Sequence, residues 1–363
     1  MSISISLSDA AFSPSSDFID FLERWISNEP FDGTSWAEFG QERVEMLGRG
    51  PSRSSILERA RKLTDSDEGM RYVSRAYEVF VALLAGDTAA LQAIHDRFRF
   101  LVVVGIPRSG GKYIAKQLFR ALGYDPSTVP EVLGHDGFPD AGPWRYGKSG
   151  NGWVRSLQTM AEYLTMVEMF FGKADPKDGK IVVPKKTPKA IYAAGLFGTA
   201  LGASTEGIIT VRHPVPACIS TYEAAGGLPG DGLFALRGNI EKFCAGDLVD
   251  LGFAREEIER MDYFDAYLRY WENYQVRLAM SRANIARKFQ VLAYGAERYM
   301  HEAAKFAERF GAGSSLVERF HVHDRRSRHP DWMERAELSL RRVTDQWERV
   351  GLEFPVAEVN AAW

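Results

Sequence analysis

The stretch that decides the fold covers residues 102–122 and reads VVVGIPRSGGKYIAKQLFRAL. An apolar run enters a turn that contains Gly105, Gly110 and Gly111, and an amphipathic segment follows the turn. This order predicts a strand, a glycine-rich loop and a helix. Glycines let backbone N–H groups approach an anion closely, and the start of a helix adds N–H donors and the positive end of its dipole. The stretch therefore predicts a phosphate-binding loop.

The loop departs from the Walker phosphate loop in two ways. A Walker loop has four residues between its first glycine and the Gly-Lys pair, and a Ser or Thr follows the lysine. Here five residues separate Gly105 from Gly111, and Tyr113 follows Lys112. A tight strand-to-helix turn without a ligand therefore stays open as an alternative. Arg108 and Lys112 nevertheless bring two positive charges to the loop.

Length and composition indicate a globular protein that has either one large α/β unit with an added helical portion or two domains. The chain has 363 residues, of which 45% are hydrophobic and 26% charged, so it can bury a sizeable core. Residues 1–97 are expected to form a helical region that packs on the α/β unit, covers its site or forms a homodimer. Residues 98–363 are expected to form the α/β domain.

Charge, cysteine content and the N-terminal sequence limit the partners, metal sites and location that we expect for this protein. A net charge of −3 gives no general attraction to nucleic acid or to an anionic membrane. Two cysteines, Cys218 and Cys244, provide neither a disulfide framework nor a metal-ligand cluster. The N-terminus lacks the pattern of a signal peptide, and no apolar run reaches the ~20 residues that cross a bilayer. We therefore expect a cytoplasmic protein without an integral membrane segment.

Three further apolar runs, 180–183, 207–211 and 289–292, alternate with helical patterns. Short apolar strands that alternate with helices predict a parallel sheet covered by helices on both faces, which gives three layers. Ligands of such sheets bind at the carboxyl ends of the strands. The residues at the four strand ends should therefore share one crevice, and they include five cations: Arg108, Lys112, Lys185, Lys186 and Arg212.

Several of these segments resemble motifs of sulfotransferases. IPRSGGKY, residues 106–113, resembles the loop that holds the 5′-phosphosulfate of the co-substrate. VRHPVPACIS, residues 211–220, resembles the 3′-phosphate motif, in which an Arg follows a strand and a Ser comes eight residues later, as Arg212 and Ser220 do. VPKKTPKAI, residues 183–191, is similar to the Lys-Thr/Asp-Pro element of the bacterial and tyrosylprotein branches. LAYG, residues 292–295, is similar to a Tyr-Glu-Asp-Leu element.

The resemblance covers about residues 100–300 and implies a P-loop-like α/β fold and a PAPS-dependent sulfotransferase. PAPS is 3′-phosphoadenosine 5′-phosphosulfate, and its sulfuryl group would pass to a hydroxyl or amine of a small-molecule, lipid or glycan acceptor. No metal is implied. The residues that the resemblance places around the co-substrate are Arg108, Ser109, Gly110, Gly111, Lys112, Tyr113, Arg212, Ser220 and Tyr294. Gly111 and Lys112 stand where the family has two hydroxyl residues.

The catalytic assignments also follow from the resemblance. Arg108 and Lys186 would stabilise the charge that develops on the leaving group. The family's base is a Glu about twenty residues after the loop cation, which points to Glu131, and His135 is the competing choice. His213 is expected to shape the turn before Pro214 rather than to act in catalysis.

A late basic segment, residues 321–332, contains Arg325 and Arg326. Many sulfotransferases supply further 3′-phosphate cations from a late loop, so these two arginines are candidates for that role. A solvated charged face is the alternative. Two other functions also stay open: a P-loop kinase or nucleotide hydrolase, which needs a metal-binding acid at a strand end, and a non-catalytic nucleotide-binding protein with a degenerate loop.

Overall fold

A computed structural model describes residues 14–33, 53–135, 150–295, 298–313 and 328–361. Its sheet has four parallel strands in the order β2-β1-β3-β4. The strands are β1 Phe98–Gly105, β2 Ile181–Lys186, β3 Glu206–Val211 and β4 Lys288–Ala293. Each predicted strand is present and is longer than its apolar run. The prediction of an α/β fold with a parallel sheet flanked by helices is therefore confirmed.

The described residues before the sheet form the helices α1 Ser16–Ile26, α2 Arg53–Thr64, α3 Asp67–Ala85 and α4 Gln92–Arg97. Between β1 and β2 lie α5 Gly111–Ala121, α6 Glu131–Gly134 and α7 Gly150–Phe171. A 3₁₀ helix, Pro188–Tyr192, and α8 Ala194–Leu201 connect β2 to β3. Between β3 and β4 lie α9 Pro214–Ala224, α10 Asn239–Asp250, α11 Arg255–Ile258 and α12 Tyr263–Ile285. After β4 come α13 Tyr299–Glu308, α14 Pro330–Arg349 and α15 Val356–Ala361.

The central strands β1 and β3 lie in the core, because apolar residues make up most of both strands. Seven of the eight residues of β1 are buried, which is the pattern of a strand covered on both faces. Gly105 ends β1 opposite Thr210 of β3. A Cβ at Gly105 would lie 2.1 Å from the Thr210 hydroxyl oxygen, so only glycine fits this approach of the two strands.

The N-terminal helices share one hydrophobic core with the sheet. Arg75 of α3 makes two hydrogen bonds of 2.9 Å to the carboxylate of Glu168 on α7. At the start of α1, Ser15 donates from its backbone N–H and its hydroxyl to the buried carboxylate of Glu162, also on α7. The described part of residues 16–97 is helical, as expected. Its service as a lid or in a homodimer stays a prediction.

Two sequence expectations were wrong in detail. The segment 123–153 is rich in Gly, Pro and Asp and lacks periodicity, which predicts a loop, but its described part contains α6 and the first turn of α7. The amphipathic pattern of residues 254–283 predicts one long helix, but the structure has α11 and α12 there, because Asp262 caps a new helix by accepting hydrogen bonds from the backbone N–H groups of Phe264 and Asp265. Helix α10 has no counterpart among the sequence predictions.

Strand order locates the crevice. The chain leaves β1 toward β2 on one side of the sheet, and it leaves β3 toward β4 on the other side. In open parallel sheets, ligands bind at the carboxyl ends of two neighbouring strands whose connections part in this way. Here those strands are β1 and β3. Among the described residues, no helix is long and apolar enough to cross a membrane.

Candidate functional site

The loop after β1 is a turn fixed by Ser109. The backbone N–H of Ser109 donates to the carbonyl oxygen of Ile106 at 3.1 Å, and its hydroxyl donates to the same oxygen at 2.6 Å. The hydroxyl also lies 2.8 Å from that of Thr210. Ser109 is 1% exposed, so its hydroxyl is directed into the fold and ties the loop to β3. Its predicted contact with the co-substrate stays a prediction.

Two loop residues have left-handed backbone conformations, Arg108 with φ of 73° and Gly110 with φ of 83°. A Cβ at Gly110 would lie 2.4 Å from both Tyr294 Cδ2 and the Tyr299 hydroxyl oxygen. Glycine is therefore required at 110 by space as well as by conformation. Gly111 differs, because its nearest neighbour, Lys186 Cε, would be 3.4 Å from a Cβ. That distance is an ordinary contact.

Arg108, Arg212 and Ser220 meet at the crevice between β1 and β3. Arg108 Nε donates to Ser220 Oγ at 2.9 Å, and one terminal nitrogen of Arg212 donates to the carbonyl oxygen of Arg108 at 2.8 Å. Arg212 and Ser220 are each 6% exposed. Ser220 reaches this position because α9 begins at Pro214, directly after β3. Arg108 lies more than 100 positions before both Arg212 and Ser220 in the sequence, yet the three residues form one connected group.

Two tyrosines complete this group. The guanidinium of Arg212 lies over the Tyr294 ring, and Tyr299 contacts the same ring edge-on at 5.7 Å between centres. The Tyr299 hydroxyl donates to the carbonyl oxygen of Ser109 at 3.1 Å. Tyr299 thus links the glycine loop after β1 to Tyr294, the residue that supports Arg212. Sequence reasoning missed Tyr299, and its position at the start of α13 gave no signal for this contact.

His213 has a structural role, as expected. It caps α9, because its Nδ1 accepts a hydrogen bond from the backbone N–H of Val215 at 3.2 Å. Burial, with a smaller effect of the neighbouring Arg212, lowers the pKa of His213 to about 3. The imidazole is therefore neutral near pH 7, which the cap requires because Nδ1 must accept.

The two candidate bases belong to one cluster with Lys186. Lys186 Nζ lies 3.1 Å from His135 Nε2, and His135 Nδ1 lies 3.7 Å from a carboxylate oxygen of Glu131. An ammonium group can only donate, so Nε2 accepts from Lys186 and the ring carries its proton on Nδ1, toward Glu131. Glu131 and His135 lie at the two ends of α6, one turn apart.

Lys185 was expected to face the crevice, and this expectation was wrong. Lys185 lies within β2, not after it, and successive residues of a strand point to opposite faces. Lys186 therefore points toward the loop, whereas the side chain of Lys185 is fully buried under α6. The other cations of the set, Arg108, Lys112, Lys186 and Arg212, stay at the strand ends.

The remaining predicted residues lie at the start of α5 or outside the described ranges. Lys112 and Tyr113 are half-buried in the first turn of α5. Arg325 and Arg326 lie outside the described residues. Within the described ranges, no group of three or more His, Cys, Asp or Glu side chains could hold a metal ion. The expectation that no metal takes part stays a prediction.

No family model, curated protein or solved structure matches this chain.

The arrangement itself indicates the class of ligand. Two arginines, a serine hydroxyl and the amino-terminal end of an 11-residue helix meet at one crevice. Guanidinium groups bind phosphate or sulfate through parallel charge-assisted hydrogen bonds, and helix N-termini favour anions. Lys186 and His135 add a cation and a proton acceptor beside the same loop. The site therefore suits a ligand with a phosphate or sulfate group.

Proposed function

We propose that this protein is a sulfotransferase that transfers a sulfuryl group from PAPS to a hydroxyl or amine of an acceptor. The observation that carries the proposal is the hydrogen-bonded group of Arg108, Arg212 and Ser220 at the crevice between β1 and β3. These residues belong to the two motifs that resemble the 5′-phosphosulfate and 3′-phosphate elements of sulfotransferases. The fold brings the motifs together, as one ligand with both groups requires.

The residues present fit the two phosphate-like ends of such a ligand. At the 3′ end, Arg212 and Ser220 provide a guanidinium and a hydroxyl, and both are nearly buried. At the 5′ end, Gly110 keeps the loop free of a side chain, and α5 directs its first N–H groups toward the loop. Lys112 adds a charge there, where sulfotransferases have a hydroxyl.

Bound PAPS would supply the sulfuryl group and depart as adenosine 3′,5′-bisphosphate. Negative charge then develops on the oxygen that had bridged sulfur and the 5′-phosphate. Arg108 and Lys186 are the cations beside the loop, and we assign them to stabilise this charge. Fixed cations and N–H donors act strongly in such a site because they need no reorganisation during the reaction.

We assign His135 as the base and Glu131 as the residue that orients it. As the acceptor oxygen or nitrogen bonds to sulfur, its proton passes to His135 Nε2. Without ligand, Nε2 accepts a hydrogen bond from Lys186. A phosphosulfate would draw the Lys186 ammonium toward itself and leave Nε2 open to the acceptor. Glu131 favours the required tautomer, because it attracts the proton to Nδ1.

The acceptor in this proposal is a small molecule, a lipid or a glycan.

The main alternative is a nucleotide kinase. A nucleotide kinase would use a hydroxyl after the loop lysine and a magnesium-binding acid at a strand end. Tyr113 follows Lys112, and the described side chains at the ends of β1 and β3 are arginines. These features favour the sulfotransferase over the kinase.

Ligand binding tests the proposal directly. Isothermal titration with adenosine 3′,5′-bisphosphate should give saturable binding, and adenosine 5′-phosphate should bind more weakly because it lacks the 3′-phosphate. Binding of magnesium ATP without binding of the bisphosphate would overturn the proposal. Incubation with PAPS labelled with ³⁵S and a metabolite extract, followed by mass detection, should then yield a sulfated product. Binding without any product from a range of extracts would favour a non-catalytic protein.

A further inference from the structure

Lys185 is a buried lysine that the proposed reaction does not use. It is 0% exposed. Its ammonium donates to the carbonyl oxygen of Val132 at 2.7 Å and also to that of His135. The same group lies 4.4 Å from the centre of the Tyr163 ring. Removing an ammonium from water is costly unless it is well paired. The two carbonyl oxygens and the aromatic ring provide that pairing for Lys185.

The two carbonyls that Lys185 contacts belong to the segment that carries both candidate bases. Val132 lies within α6, and His135 follows its last residue. A helix of four residues has few hydrogen bonds of its own, and its last carbonyls need donors from elsewhere. Lys185 provides that donor. It therefore fixes the backbone of His135 relative to β2.

Lys186, the next residue, holds the other end of the same histidine. Its ammonium contacts His135 Nε2, while Lys185 contacts the His135 carbonyl oxygen. The backbone and the ring of His135 are thus both held by two consecutive residues of one rigid strand.

We propose that Lys185 is a positioning residue: it fixes α6 so that the His135 ring meets Lys186 and Glu131 in reactive geometry. The catalytic consequence of this role rests on the proposed function. The structural claim is the placement of the His135 imidazole. A merely stabilising Lys185 would affect the unfolding temperature without a selective effect on His135. The two roles are therefore separable by measurement.

The chain offers a matched control at the opposite end of the same strand. Lys180 directly precedes β2, and its ammonium donates to the carbonyl oxygen of His95 at 2.6 Å. Lys180→Met and Lys185→Met each remove one ammonium that binds backbone carbonyls. Only the carbonyls that Lys185 binds belong to the segment that carries the candidate bases.

The first readout is the NMR spectrum of the imidazoles in protein labelled with ¹⁵N-histidine. The chain has 7 histidines, and His135→Asn identifies the signals of His135. In folded Lys185→Met we expect the His135 signals to move toward those of a histidine in solvent, while Lys180→Met leaves them unchanged. Unchanged His135 signals in Lys185→Met, or equal shifts in both variants, would overturn the proposal.

The second readout is kinetic. Displacement of a catalytic group by about 1 Å costs on the order of 10²-fold in rate. We expect Lys185→Met to lower kcat by about that factor and to leave the affinity for adenosine 3′,5′-bisphosphate unchanged. A loss of affinity without a loss of kcat would overturn the proposal. Should Lys185→Met fail to fold, Lys185→Gln keeps an N–H donor and is judged by the same two readouts, with an intermediate effect expected.

The outcomes separate this proposal from the proposed function. If the wild type neither binds the bisphosphate nor transfers a sulfuryl group, the sulfotransferase assignment fails, whereas the NMR result still decides whether Lys185 positions His135. If turnover is present and the His135 signals are insensitive to Lys185, only the positioning role fails.

Discussion

The guanidinium carbon of Arg212 lies 4.2 Å from the centre of the Tyr294 ring. Arg212 follows β3 and Tyr294 follows β4, so this contact joins the ends of two neighbouring strands. A second contact joins them as well, because Tyr294 donates its backbone N–H to the carbonyl oxygen of Val211. On the backbone side, the Arg212 carbonyl accepts a hydrogen bond of 3.0 Å from the indole of Trp271. Arg212 is therefore held in place before any ligand binds, which lowers the cost of ordering it on binding.

Replacement of Arg212 by lysine should weaken binding of adenosine 3′,5′-bisphosphate about 10-fold or more. Lysine keeps the charge, but it loses the planar donors and the stacking on Tyr294. Isothermal titration of Arg212→Lys and Arg212→Ala measures the effect. Arg309→Lys is a control, since Arg309 also lies over aromatic rings but pairs with Glu206, the first residue of β3, away from the crevice. Equal losses in both arginine positions would argue against a specific role of Arg212.

The two loop glycines should respond differently to alanine. Gly110→Ala forces an L residue into a left-handed conformation and brings its Cβ against Tyr294 and Tyr299, so we expect a loss of unfolding free energy of at least about 1–2 kcal/mol and weaker ligand binding. Gly111→Ala makes ordinary contacts in a helix, so stability should stay equal or rise by up to about 1 kcal/mol. Chemical denaturation compares the two. Destabilisation by Gly111→Ala as large as that by Gly110→Ala would contradict the loop geometry.

Paired variants can test whether His135 or Glu131 is the base. His135→Asn should lower kcat by about 10²–10⁴-fold, the range for loss of a general base, with little change in bisphosphate affinity. Glu131→Gln should have a smaller effect, because it leaves the imidazole in place. His95→Asn is the control, since its Nε2 contacts the Ala200 carbonyl oxygen in another part of the fold. A larger loss in Glu131→Gln than in His135→Asn would make Glu131 the base.

Glu162 should make the protein less stable as the pH rises. Burial raises the pKa of Glu162 from 4.5 to about 7, although hydrogen bonds from Ser15 and Gln158 oppose the shift. Between these two values the folded protein holds a proton that the unfolded chain has released. The contribution of Glu162 to the free energy of unfolding is therefore highest below pH 4.5. It falls by on the order of 3 kcal/mol as the pH approaches 7.

Urea denaturation of wild type and Glu162→Gln at several values between pH 5 and pH 8 measures this dependence. The amide is neutral at every pH and can still accept from Ser15, so the variant should lose the decline between pH 5 and pH 7. If both proteins show the same slope, Glu162 does not carry a raised pKa.

The sheet and the crevice were predictable because their signals are local. Continuous apolar runs such as residues 102–104 and 207–211 mark buried strands, and the residue after each run is then placed at a known edge. Arg212 was found in this way, whereas Ser220 was singled out by the resemblance of residues 211–220 to a sulfotransferase motif.

Contacts across the sequence were not predictable. The pairing of Tyr299 with the loop depends on how α13 packs against α5, and neither helix carries a pattern that specifies it. The burial of Lys185 could have been inferred from strand alternation, had the strand been extended to include both lysines. The apolar run stops at Val183, so the lysines were placed beyond the strand.

Arg108 occupies a backbone conformation that glycine adopts at no steric cost. The other described non-glycine residues with positive φ are Asn28 and Asp178, types that tolerate this region well, whereas an arginine there is uncommon. Selection for stability alone would replace Arg108 with glycine or asparagine. Stabilised variants obtained from libraries screened only for heat resistance are thus expected to accumulate changes at position 108 and to lose ligand binding with them. Retention of arginine at this position would then be a simple mark of a library that was also selected for function.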